Sequence, residues 1–343
     1  MKVAFIGAGS WGTSMASVVA GKNESETILW ARKTELAETI NLFHENPPYL
    51  PDLPLPESLK ATNDLEEALS GAEVVVMAVP SHGFRGVLKQ VAPIAGRDKI
   101  YVSLTKGLEV DTRKRMSEVL ADEVDGLTPS GIAVLTGPNL AKEVARGSPA
   151  ASTIACRDEE VGKRLQEVFQ AQTFRCYRNV DVVGSEIGGA LKNVVAIAAG
   201  IADGLDFGDN TKATVLTRGL AEMARFAVKF GAKPLTLLGL AGVGDLMATC
   251  ASPQSRNHFV GIELGKGRKI DEIIGSMNMV AEGVKSCKPI YELGQEAGVW
   301  MPITENVVNI CHGGATVDEL VEDLLSREIR HEFEGVEGEW EET

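Results

Sequence analysis

Lys2-Val3-Ala4-Phe5-Ile6-Gly7-Ala8-Gly9-Ser10-Trp11-Gly12 is a short apolar run that ends in G-x-G-x-x-G, and it opens onto Trp11 to Ala20, a small and apolar stretch of helical character. The order is strand, turn, helix. In that setting the three glycines have separate duties. Gly7 permits the tight turn, Gly9 lets backbone approach a pyrophosphate, and Gly12 lets helix and strand pack closely, while amide groups at the helix N-terminus hold phosphates. Glycine-rich loops are common, so the alternative is a tight turn without a ligand. The strand before it and the helix after it count against that alternative.

Outward from this unit the same alternation repeats. Apolar runs at Thr27 to Ala31, Val74 to Val79, Ile100 to Leu104 and Ile132 to Leu135 read as strands buried on both faces. Thr34 to Phe43, Leu65 to Leu69 and Thr112 to Leu120 read as the helices between them, and Ala151 to Ala155 and Thr173 to Tyr177 as added edge strands. The pattern predicts an α/β Rossmann domain over residues 1–180, doubly wound on a mostly parallel sheet. Beyond Val180, Ser185 to Ala202, Lys212 to Phe230, Thr236 to Leu240, Val284 to Ala297 and Val317 to Leu325 are helical in character, which predicts an all-α domain over 181–330. Residues 331–343, rich in glutamate, read as a solvated tail.

The composition excludes several classes. With 343 residues, 44% hydrophobic and 24% charged, the chain is long enough for two domains and too apolar for disorder. The formal charge of −14 repels nucleic acid and anionic membrane. The first strand reaches its glycines too soon for a secretory segment, and no uninterrupted apolar run approaches membrane length, so a cytoplasmic protein without membrane insertion is expected. Cys156, Cys176, Cys250, Cys287 and Cys311 are odd in number and lack CxxC spacing. They read as reduced, buried thiols, with neither a disulfide framework nor a metal site.

A Rossmann domain commonly places an acid at the end of the second strand to bind the adenosine ribose. Here that strand ends in Trp30-Ala31-Arg32-Lys33. Two cations in that place attract a 2′-phosphate, so NADP(H) is favoured and NAD(H) remains possible; the bland alternative is a solvated surface pair. Val79-Pro80-Ser81-His82 ends the third strand as a wall of the cofactor crevice, without an acid/base role for His82. Tyr49 either covers the adenine end or simply packs.

Three later segments carry the substrate chemistry. Thr105-Lys106-Gly107 ends a buried strand, where Lys106 reads equally as a ligand contact or a surface lysine. Gly188 to Gly200 sets one lysine, Lys192, and one asparagine, Asn193, in an almost wholly apolar helix. Desolvation disfavours a charged amine there and brings its pKa toward the range of a general acid or base, making Lys192 the catalytic candidate; its alternative is an amine snorkelling to water. Asp245 and Thr249 are spaced to share a helical face from which they are expected to orient the Lys192 amine, and Ser255-Arg256-Asn257 forms a compact set of anion donors, with a capped loop as the alternative.

On these motifs, together with Leu135-Thr136-Gly137-Pro138-Asn139, Ser252-Pro253-Gln254 and Val280-Ala281-Glu282-Gly283, the chain resembles the bacterial NAD(P)-dependent glycerol-3-phosphate dehydrogenases over nearly its full length. The resemblance implies reversible reduction of dihydroxyacetone phosphate to sn-glycerol 3-phosphate, feeding phospholipid synthesis, by a homodimer. It implies cofactor contacts from Ser10, Trp11, Arg32, Lys33, Lys106, Ala141, Arg256, Val280 and Glu282. Substrate contacts are implied for Lys106, Gly137, Asn139, Lys192, Asp245, Ser255, Arg256 and Asn257, with Lys192 the proton acceptor in oxidation. Asn139 departs from the Ser or Thr frequent at its position. The competing readings are a ketopantoate or β-hydroxyacid reductase, which the phosphate-binding set disfavours, and an NADPH-sensing regulator, in which Lys192 has no purpose.

Overall fold

The computed structural model describes residues 1–277 and 281–328. The chain divides into two compact units, one formed by Met1–Glu109 and Lys114–Val182, the other by Val110–Arg113 and Val183–Thr343. Residues 331–343, read as a tail, lie outside the described residues, as does Val280.

The first unit begins with β1 (Lys2–Ile6), α1 (Ser10–Ala20), β2 (Glu26–Trp30) and α2 (Thr34–Phe43). A small hairpin follows, β3 (Glu45–Asn46) and β4 (Leu50–Pro54), then β5 (Lys60–Thr62) and α3 (Leu65–Leu69). The chain continues through β6 (Val74–Met77), α4 (Ser81–Ala95), β7 (Ile100–Ser103) and α5 (Met116–Glu123). It ends with β8 (Ile132–Thr136), α6 (Ala141–Ala145), β9 (Ala150–Cys156), α7 (Glu159–Phe169) and β10 (Phe174–Asn179).

Eight strands form one sheet in the order β10-β9-β8-β7-β6-β1-β2-β5. Every pairing is parallel except β8 with β9, so the sheet is mostly parallel, as the alternation of strands and helices dictates. From β1 the chain runs outward to β2 and β5, then returns to lay β6 on the other side of β1. That reversal makes the ends of β1 and β6 the switch point at which such sheets bind ligands. Val3, Phe5, Val74 and Val76 on one face and Ala4, Ile6, Val75 and Met77 on the other are all fully buried, which is why these runs show no polar alternation.

Several local expectations need correction. The third strand stops at Met77, and Ser81-His82 open α4 rather than close a strand. β9 is not an edge strand, since β8 and β10 flank it. The helix expected from Thr112 begins only at Met116, and Val110–Arg113 belong to the second unit, where Arg113 pairs with Glu296 at 2.6 Å.

The second unit holds α8 (Val182–Gly204), α9 (Gly208–Lys229), α10 (Pro234–Leu237), a π turn at Leu240–Gly244 and α11 (Asp245–Ala251). It is completed by α12 (Arg256–Gly265), α13 (Ile270–Gly275), α14 (Glu282–Glu296), α15 (Pro302–His312) and α16 (Val317–Ser326). By length and composition, Val182–Gly204 and the run Pro234–Ala251 would also suit a bilayer, but 89% of the apolar window in the first is buried inside the protein. All five cysteines are buried and free.

Two features shape this unit. The first is the crossing of α8 and α12, where glycines allow backbone contact: a Cβ on Gly200 would lie 2.2 Å from the His258 carbonyl oxygen, and one on Gly261 2.1 Å from that of Ile197. The second is Glu222, which brings its carboxylate to the N-terminus of α15 and accepts the N–H groups of Ile303 and Thr304 and the Thr304 hydroxyl. Burial pushes this carboxyl up from 4.5 to about 7, against those three hydrogen bonds and the nearby Arg225 charge. A folded-state value above the unfolded one means the native protein holds the proton more tightly, so stability is lost as pH rises from the lower value through the higher. Between about pH 5 and about pH 8 the native protein should lose about 3 kcal/mol relative to Glu222→Gln, read by urea denaturation of both proteins. Parallel pH–stability curves would contradict this.

Candidate functional site

In the first unit the glycine turn sits at the switch point. Gly7 has φ +120°, and a Cβ there would lie 2.7 Å from the Ala78 carbonyl oxygen, while one on Gly12 would lie 2.1 Å from that of Gly7. At Gly9 nothing stands within 4 Å of an added Cβ. The turn is therefore closed against β1 and β6 but open at its middle glycine, which is the shape a dinucleotide pyrophosphate requires. The loop fits the group the sequence implies. Gly9 precedes the first turn of α1, whose leading N–H groups have no intrahelical acceptor.

The neighbours of this turn are fixed by hydrogen bonds. Ser10 donates its hydroxyl to the Tyr49 carbonyl at 3.0 Å, and Ser14 donates to the Ala141 carbonyl at 2.9 Å, drawing Tyr49 and Ala141 to the same loop. The Tyr49 residue is 40% exposed. Trp11 stacks obliquely on Phe174 of β10, at 6.4 Å between centroids, so its ring serves the core of the unit. Arg32 and Lys33 are exposed at the carboxyl end of β2, and among the described residues neither joins an ion pair.

Lys106 is not a free surface lysine. Its Nζ donates to the Gly137 carbonyl at 2.9 Å, tying the loop after β7 to the end of β8. Gly137 has φ +144°, a conformation that favours glycine. Asn139 bonds the Ser152 hydroxyl at 2.7 Å, so its amide is held by β9. His82 lies exposed in the first turn of α4.

The second unit carries the amine. Lys192 on α8 is 6% exposed, and its Nζ lies 2.7 Å from Asp245 Oδ1 and 2.6 Å from Thr249 Oγ1, both on α11. This excludes a snorkelling lysine. Asp245 was expected to orient this amine; the structure adds that the carboxylate is itself buried, at 1% exposed. Asp245 and Thr249, one helical turn apart, share a face as their spacing requires.

The anion donors stand beside this cluster in sequence and in the fold. Ser255 caps α12 by accepting the His258 N–H at 3.2 Å, which puts Arg256 and Asn257 in the first turn, where the helix dipole favours negative charge. Arg256 keeps an accessible side chain on a crowded floor: the surrounding protein lowers its guanidinium from the ordinary value, and the Glu282 charge raises it. Asn257 is tied on both sides, donating to Asn193 Oδ1 and accepting the Gly283 N–H, each at 2.9 Å. Asn193, next to Lys192 on α8, thus joins the site through Asn257. Its link to Asn257 locks the helix bearing Lys192 to the helix bearing the anion donors, and no spacing rule signals a contact 64 residues apart.

Family models for the N-terminal and C-terminal parts of NAD-dependent glycerol-3-phosphate dehydrogenase match residues 2–162 and 181–322. The chain belongs to this family. A glycerol-3-phosphate dehydrogenase (NAD(P)+) of Streptomyces griseus is 50% identical over 332 residues, 97% of this chain and 98% of that one. One from Corynebacterium aurimucosum is 51% identical over 326 residues, 95% and 98% of the two chains. Among solved structures, the glycerol-3-phosphate dehydrogenase of Coxiella burnetii superimposes with a TM-score of 0.88 at 38% identity, covering 95% of this chain and 99% of that one.

Proposed function

We propose that this family member interconverts dihydroxyacetone phosphate and sn-glycerol 3-phosphate with NAD(P)H. The observation that carries the chemistry is the Lys192 amine, buried and held by Asp245 and Thr249 on the unit that also bears the Ser255–Asn257 helix N-terminus. A buried, oriented amine suits proton transfer to a carbonyl oxygen, and a phosphate suits the α12 N-terminus.

When bound, the nicotinamide supplies or accepts the hydride. Lys192, as the ammonium, donates its proton to the carbonyl oxygen where negative charge develops, and in oxidation the neutral amine takes that proton back. Asp245 and Thr249 hold Nζ in one orientation. Arg256, Asn257 and Ser255 grip the phosphate, which converts binding energy remote from the reacting bond into alignment. Lys106, Gly137 and Asn139 supply further substrate contacts. Gly7, Gly9, Gly12 and the α1 N-terminus carry the pyrophosphate, joined by Ser10, Trp11, Tyr49 and Ala141 as cofactor contacts.

Steady-state loss of nicotinamide absorbance with dihydroxyacetone phosphate, set against ketopantoate and hydroxypyruvate, tests the reading. Turnover confined to the phosphorylated ketone is expected, and preference for either other acid would overturn it. Arg32 and Lys33 favour NADPH through its 2′-phosphate. Arg32→Ala should therefore raise KM for NADPH about tenfold while leaving that for NADH within about twofold. Equal effects on the two cofactors would contradict the assignment. The same reading carries a cytoplasmic homodimer whose product enters phospholipid synthesis.

A further inference from the structure

We propose that Asn46 is a positioning residue for the dinucleotide, its side-chain amide setting the direction of the Ala8–Gly9 peptide in the glycine turn. This rests on the reading of Gly7–Gly12 as the cofactor cradle. Asn46 is fully buried on the short strand β3, in the hairpin that carries Tyr49. Its Nδ2 donates both protons into the turn, to the Ala8 carbonyl at 3.0 Å and to Thr13 Oγ1 at 2.8 Å. Its Oδ1 has no partner among the described residues. Rotating the amide would set that oxygen against the Ala8 carbonyl, so the orientation is decided by what the group donates.

A trans peptide holds its C=O and the following N–H in opposite directions. Because Asn46 grips the Ala8 oxygen, the Gly9 N–H points away from β3. Gly9 is also the one glycine of the motif around which an added Cβ would meet nothing. The amide most useful to an anion is thus aimed by a residue that does not itself touch the ligand. The hairpin is latched a second time by the Ser10 hydroxyl on the Tyr49 carbonyl, and Tyr49 in turn donates its N–H to the Asn46 carbonyl at 3.1 Å. Loop and hairpin therefore move as one piece.

The test uses the full chain, with NADPH affinity read by nucleotide fluorescence and kcat at saturating NADPH read separately. Asn46→Ala should raise both Kd and KM for NADPH about 10- to 100-fold, the cost of misaiming one donor to a charged group, with kcat and KM for dihydroxyacetone phosphate within about threefold. Thr13→Val, which keeps the shape and removes the acceptor, should weaken NADPH in the same sense, and Thr13→Ser should retain native affinity. A merely structural role would lower the melting temperature without this selective rise. Gly9→Val tests the cradle apart from Asn46, since it fills the open space and should abolish NADPH binding in a folded protein. Loss in Gly9→Val alongside native affinity in Asn46→Ala and Thr13→Val overturns the role of Asn46 alone. Native affinity in Gly9→Val overturns the cradle itself, and the role of Asn46 with it.

Discussion

Lys192→Ala should bind NADPH with native affinity and lose at least about a thousandfold in kcat. General acid–base catalysis contributes about 10²- to 10⁴-fold, and a thousandfold corresponds to about 4 kcal/mol of transition-state stabilisation. The loss should fall on kcat, because the amine acts where charge develops on the reacting oxygen. Removing it also leaves Asp245 buried without its counter-charge, which costs about 3 to 5 kcal/mol of stability. Lys192→Ala combined with Asp245→Asn separates the two effects: folding should recover and turnover should not. Circular dichroism melting of both variants, run with the same kinetic assay, decides between lost chemistry and lost fold. Restored turnover in the double variant would rule out a proton-transfer role.

Gly261→Ala should lower the melting temperature by about 6–12 °C, the shift expected for about 3 kcal/mol of overpacking in a unit of this size. The cause is the crossing of α8 and α12. A methyl on Gly261 meets the Ile197 carbonyl oxygen at 2.1 Å and Gly200 Cα at 2.8 Å, and all of these are backbone atoms that no rotamer change can move. Gly204 and Gly265 repeat the arrangement one turn further on, where a Cβ on either would lie 2.9 Å from a Cα of the other helix. Because α8 carries Lys192 and α12 opens with Arg256 and Asn257, forcing them apart should raise KM for dihydroxyacetone phosphate before it changes NADPH affinity. Gly86→Ala on α4 is the control. Nothing stands within 4 Å of its added Cβ, so it should be neutral or stabilising by up to about 1 kcal/mol. Equal melting temperatures for the two alanine variants would refute the packing argument.

The legible parts of the chain were those whose signal is local. The glycine turn, the buried strands β1, β6, β7 and β8, and the lysine in an apolar helix each announce themselves within a dozen residues. What was missed is either non-local or locally ambiguous. α4 contains Pro93, and the run leading into it reads as strand; α7, Glu159–Phe169, is so charged that its buried Leu165, Val168 and Phe169 hardly register. The hairpin of β3 and β4 hides in a proline-rich stretch, and with it the part played by Asn46. Antiparallel entry of β9 depends on the connection through α6, which periodicity does not encode. In the site, Asp245 and Thr249 were expected to orient the Lys192 amine on chemical grounds, but the contact itself, across 53 residues, belongs to the fold. The link from Asn193 to Asn257 is of the same kind.

Chemical rescue decides whether the Lys192 amine moves the proton: small primary amines are added to Lys192→Ala, and NADPH oxidation by dihydroxyacetone phosphate is followed. A rate near zero without amine, rising with amine concentration while NADPH affinity stays native throughout, is the expected result. A variant that turns over within tenfold of the native enzyme with no amine present would contradict it.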